Sequence, residues 1–111
     1  MFFFGSKTSK IAKAVAKRKG APLVALLNDK DEAIRLAAID GLGEIRSGEN
    51  LNPLINLLQD ASAAVRAHSA SAMAKIGDVH AKEHLARAIP NEKDAAAREA
   101  MQKAINSLKD F

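Results

Sequence analysis

The sequence predicts an all-α protein, a right-handed α-solenoid of about three stacked helical hairpins preceded by an N-terminal helix. Three observations lead there. The stretch LLNDKDEAIRLAAIDGLGEI at residues 26 to 45 returns 31 positions later as LLQDASAAVRAHSASAMAKIG. Apolar residues recur at i, i+3, i+4 and i+7, the period of a helix buried on one side. The strict alternation that marks a half-buried strand is absent. A unit of about 30 residues cannot enclose its own apolar face, so neighbouring copies must stack to keep it dry.

The first element is a basic segment, residues 1–20, MFFFGSKTSKIAKAVAKRKG. It carries Lys7, Lys10, Lys13, Lys17, Arg18 and Lys19 and no acid, leaving 11 basic against 13 acidic side chains for the other 91 residues. The formal charge of +4 therefore belongs to this segment and not to the whole surface. On a helical wheel Ile11, Ala12, Val15 and Ala16 oppose Lys7, Lys10, Lys13 and Lys17. Three uses stay open. The helix can cap the first hairpin, because Ile11 and Ala14 fall 31 residues before Leu42 and Ile45, with Phe2 to Phe4 packed beneath it. It can lie on an anionic membrane surface. It can attract nucleic acid without sequence choice.

The repeat domain follows, residues 21–111, with units at about 21–48, 49–79 and 80–111. First helices are expected from Leu23, Leu26 and Leu27; Leu54, Leu57 and Leu58; and Leu85, Ala88 and Ile89. Pro22 and Pro53 suit a helix start, where a missing N–H is harmless. Polar turns follow at Asn28-Asp29, Gln59-Asp60 and Pro90-Asn91. Second helices are expected from Ile34, Ala38, Leu42 and Ile45; Val65, Ser69, Met73 and Ile76; and Ala97, Met101, Ile105 and Leu108. The third copy is offset by 32 residues instead of 31, which an insertion near Glu92 to Asp94 absorbs. Asp29, Asp60 and Asn91 compete with Asp31, Ser62 and Asp94 to cap the second helices. Gly20, Gly48 and Gly77 are read as the helix exits.

The pattern D-x-x-x-x-[VI]-R-x-x-A-x-x-[AG]-[LM]-[GA]-x-I resembles HEAT-like repeats of the type named after phycobilisome lyases. Asp29, Ile34, Arg35, Ala38, Gly41, Leu42, Gly43 and Ile45 carry it in the first copy. Asp60, Val65, Arg66, Ala72, Met73, Ala74, Ile76 and Gly77 carry it in the second, with Ser69 for the first Ala. The third copy departs from it, with Asn91 for Asp, Ala97 for Val and Asn106 at the Gly/Ala position. The resemblance covers about residues 21 to 109. It implies that turn carboxylates meet arginines of adjacent units in a ladder built from Asp29, Arg35, Asp60, Arg66 and Arg98, with Asp29–Arg66 and Asp60–Arg98 as rungs. Such contacts fix register more than they add stability.

The resemblance also implies that second helices line a concave face. Residues on it pointing away from the buried stripe are Leu36, Asp40, Glu44, His68, Ser71, Lys75, Glu99 and Lys103. The function expected from this is a non-catalytic protein–protein scaffold or adaptor that holds a partner, a peptide or a helix, on that face. The alternative is an accessory subunit of a lyase- or hydroxylase-like enzyme, or a membrane or nucleic-acid binder working through the basic N-terminus. No catalytic residue is expected, because no nucleophile, base and orienting acid come together in the pattern. No cofactor or metal is expected either. There is no cysteine. His80 and His84 share a helix face at i, i+4 but lack a fixed third ligand. HEAT-like di-iron hydroxylases use His-Glu steps, whereas Glu83-His84 runs in the opposite order. Without a secretory h-region or a run of about 20 apolar residues, a cytoplasmic location is expected.

Overall fold

The computed structural model describes residues 3–108. Among them are seven α-helices and no strand: α1 (Phe3–Ala16), α2 (Ala21–Leu26), α3 (Glu32–Ile45), α4 (Leu51–Asn56), α5 (Ala63–Ile76), α6 (Ala81–Ala88) and α7 (Ala95–Ser107). Short 3₁₀ turns at Gly48–Asn50, Leu57–Gln59 and Ile89–Asn91 link them. The long helices α1, α3, α5 and α7 pack side by side in chain order. The short helices α2, α4 and α6 form a second layer, each resting on the long helix that follows it. The product is a slab measuring 43 × 30 × 16 Å, a two-layer α-solenoid.

The apolar stripes meet between the layers. Leu23, Leu54 and Leu85, equivalent positions of the three first helices, are all fully buried. Ala38, Ile39 and Leu42 of α3 share one buried core with Val65, Ala70 and Met73 of α5, and Met101 and Ala104 of α7 extend it. Small residues permit the close spacing. A Cβ built on Gly43 would sit 3.1 Å from the Ala72 Cα, so α3 and α5 approach backbone to backbone there. The α1 helix closes the first hairpin, with Ile11 and Ala14 buried against α2 and α3. The side chains of Phe2 to Phe4, expected beneath it, lie outside the described residues, as does Phe111.

Both sets of competing caps are used, for different tasks. Asp31, Ser62 and Asp94 are the N-caps, accepting from the backbone N–H groups of Ala33, Val65 and Ala97. Two residues earlier, the side chains of Asp29, Asp60 and Glu92 accept from the N–H of those capping residues and set the turn before each helix. The third turn acid is therefore Glu92, not Asn91. The extra residue of the third copy lies ahead of Glu92 and not after it, in the segment containing the Ile89–Asn91 turn. The expected glycine exits are corrected too. Gly20 has φ −79° and precedes α2, and Gly48 opens a 3₁₀ turn. The left-handed exits are Arg18 (φ 56°), Arg46 (φ 61°) and Gly77 (φ 74°), and of these three only glycine takes that conformation without a Cβ penalty.

Candidate functional site

The recurring arginines act first within their own hairpins. Arg35, Arg66 and Arg98 each donate to the backbone carbonyl of the turn acid six residues earlier, Asp29, Asp60 and Glu92, at 2.7, 2.7 and 2.6 Å. Among the described residues only one of the three, Arg66, reaches the next unit. The Arg66 guanidinium holds both carboxylate oxygens of Glu92, at 2.6 and 2.9 Å. Glu92 is buried, and Arg66, with help from the Asp94 N–H, keeps its carboxyl below the usual range despite that burial. The rungs Asp29–Arg66 and Asp60–Arg98 are not formed among the described residues. The reason is geometric: with its inner edge tied to its own turn, Arg66 turns its free edge forward to Glu92, while Arg35 turns its own to Glu32 of the same helix at 3.5 Å. For Asp29 the partner is Lys7 of α1, whose ammonium lowers the carboxyl's pKa.

The long-helix face expected to dock a protein is internally paired. Asp40 meets His68 at 2.8 Å, and Glu44 meets Lys75 at 3.0 Å, both across the α3–α5 boundary. Lys75 holds the Glu44 carboxyl below its ordinary pKa. Glu99 and Lys103 approach to 3.9 Å within α7. Leu36 is half-buried against the core, and Ser71 is exposed. His80 turns to Asp78 at 2.6 Å, and no cluster of three metal-ligating side chains occurs among the described residues.

The basic segment divides in two. Lys7 is bound to Asp29, and the Arg18 guanidinium donates to the Ile45 carbonyl at 2.6 Å, satisfying the C-terminal end of α3. Lys10, Lys13, Lys17 and Lys19 are exposed, without an ion pair among the described residues. Lys10 and Lys13 of α1 and Lys17, whose N–H still bonds the Lys13 carbonyl just past the helix end, fall at i, i+3 and i+7, one outward stripe. With Ser6, Ser9 and Pro22 they line a shallow groove of about 480 Å³. A second cleft, about 630 Å³, lies between the second and third hairpins, where α4 and its following turn face α6 and its own. Gln59, His84, Arg87, Asn91 and Lys93 line it. Gln59 and Asn91 each precede the turn acid, as Asn28 does in the first hairpin, so the repeat pattern marks a turn there; it gives no sign that His84, Arg87 and Lys93 gather beside them.

The family of HEAT repeats matches residues 20–106. The chain belongs to the HEAT-repeat family. Among curated proteins none matches it in sequence. Solved structures do. An epoxyqueuosine reductase labelled with selenomethionine is 34% identical over 68% of this chain, with a TM-score of 0.65. An epoxyqueuosine reductase bound to an epoxyqueuosine-modified tRNA-Tyr stem loop is 33% identical over 69%, with a TM-score of 0.66. The reductase from Bacillus subtilis is 28% identical over 78%, with a TM-score of 0.72. This HEAT-repeat chain spans only 20, 21 and 28% of those three proteins. The α1 stripe lies ahead of the family match.

These similarities correct the expectation of a stand-alone protein–protein scaffold. The three solved structures above are of an enzyme, part of which shares this fold, and that favours the enzyme-associated alternative. No helix among the described residues is long and apolar enough to cross a membrane.

Proposed function

We propose that this HEAT-repeat chain is a non-catalytic RNA-binding module that serves an RNA-modifying enzyme, holding a structured RNA such as a tRNA stem loop. The observation that carries the reading is the likeness, at 33% identity, to an enzyme solved with a tRNA stem loop. The exposed stripe of Lys10, Lys13 and Lys17 supports it. Lysine ammonium groups on one helix face suit the regularly spaced phosphates of a nucleic-acid strand, and binding releases the counterions condensed on them. The hairpin stack supplies a rigid backing, since α1 is held through Ile11, Ala14 and the contacts of Lys7 and Arg18.

The test is fluorescence anisotropy of a labelled RNA stem loop with the full chain across a salt series. Each phosphate-contacting lysine contributes a slope of about one in log K against log salt. Replacing Lys10, Lys13 and Lys17 with Gln should therefore flatten the slope by about two to three and weaken binding at low salt. No binding by the wild type at low salt rejects the reading. Tighter binding to anionic vesicles than to RNA would transfer the stripe to a lipid surface and reject it equally.

A further inference from the structure

The cleft between the second and third hairpins combines three kinds of lining. Its floor is apolar, made by Ile55, Leu58 and Ala88. One end is closed by the Arg66–Glu92 pair, whose charges are spent on each other. The remainder is polar, and apart from Asp60, one of whose carboxylate oxygens accepts from the Ser62 N–H, it is little used by the fold. Gln59 and Asn91 are exposed amides without a side-chain hydrogen bond among the described residues. Lys93 is exposed and has no ion pair among them, and Arg87 meets only Glu83, in an exposed i, i+4 pair that water screens. His84 stands beside Arg87 in the same wall. The volume, about 630 Å³, is that of a small-molecule site and far exceeds a gap between packed helices.

We propose that this cleft takes one unpaired nucleotide of the bound RNA. The base would rest on the apolar floor beside the His84 imidazole. Amides carry both donors and acceptors, so Gln59 and Asn91 can meet the edge of an unpaired base, and the Asp60 carboxylate can accept from an exocyclic amine. Arg87 and Lys93 at the rim suit the flanking phosphate. Proteins read single-stranded loops in this way, through stacking and edge hydrogen bonds, while duplex RNA is read by shape. A peptide is the weaker occupant, because the cations of the rim call for a phosphodiester.

This inference rests on the RNA-binding reading, and the experiment separates the two. The full chain is titrated against a labelled hairpin RNA with an unpaired loop, and against a blunt RNA duplex of the same stem. The wild type should favour the hairpin. The double variant Gln59→Ala/Asn91→Ala, and separately His84→Ala, should weaken hairpin binding about tenfold, the scale of one lost base contact, and leave duplex binding unchanged. All three positions lie outside the buried core, and an unchanged circular dichroism spectrum checks the fold. Three results overturn the cleft: hairpin affinity untouched by both variants, equal loss of hairpin and duplex binding, or no hairpin preference in the wild type. In each the chain still binds RNA, so the function stands. Failure of the wild type to bind either RNA removes the function, and the cleft's role with it.

Discussion

Ser69 sits at the centre of α5, fully buried, and its hydroxyl meets no hydrogen-bond partner among the described residues. It occupies the place that Ala38 fills in the preceding copy, where the methyl is also fully buried. An unpartnered buried hydroxyl costs about 1–3 kcal/mol of desolvation. Ser69→Ala removes that cost, leaves a void of one oxygen atom, and adds a few tenths of a kcal/mol of helix propensity. The net expectation is a gain of about 1–2 kcal/mol, which at this chain length raises Tm by about 4–8 °C. Urea unfolding followed by circular dichroism measures it, with an unchanged m-value showing that the transition is the same one. Ser71→Ala is the control, because Ser71 lies on the same helix but is exposed. It should gain only the propensity increment. If Ser69→Ala gains no more than Ser71→Ala, or loses stability, the buried hydroxyl is not the liability described.

Two further outcomes follow from the packing and the inter-hairpin pair. Glu92→Gln should destabilise the fold by about 2 kcal/mol at neutral pH, since Arg66 keeps its charge while losing the carboxylate. Glu92's pKa is lowered in the folded chain, so its contribution is present above the unfolded value, about 4.3, and vanishes as pH falls through the folded one. Wild type and variant should draw together in stability as pH falls through the lowered folded-state pKa of Glu92; a gap independent of pH refutes the charge argument. Gly43→Ala should lower Tm, although helix propensity alone predicts a gain of about 1 kcal/mol. The added methyl meets the Ala72 Cα at 3.1 Å, and that atom belongs to a helix wedged between α3 and α7. A raised Tm would show that the layer can give way.

Much of this fold was legible because burial on one side of a helix writes a period into the sequence. Leu23, Leu54 and Leu85, spaced by 31, announced the layer they share. The third hairpin's turn was harder. Glu92 replaces aspartate, and its position is shifted by one, so Asn91 took its place in the pattern; only the hydrogen bonds from Arg66 and Asp94 identify the acid. Ladder direction was hidden for a related reason. Spacing shows that arginine and acid recur, but not which neighbour a long side chain turns to once its inner edge is fixed by a carbonyl. The candidate sites were less legible still. Lys7 and Arg18 look like four other cations in the basic segment, yet they brace α2–α3, and of the cleft residues Gln59 and Asn91 share a repeat position that reads only as a turn, while His84, Arg87 and Lys93 sit at three different ones.

The bond from each arginine to the carbonyl six residues before it gives every hairpin a latch of its own. Because the latch closes inside the unit, a copy can be duplicated or deleted as a block without orphaning a neighbour's turn. The links between units, Arg66 to Glu92, Asp40 to His68 and Glu44 to Lys75, would have to be rebuilt. A lineage carrying this module could therefore lengthen or shorten it to match the span of whatever it grips, leaving the chemistry of each bend untouched.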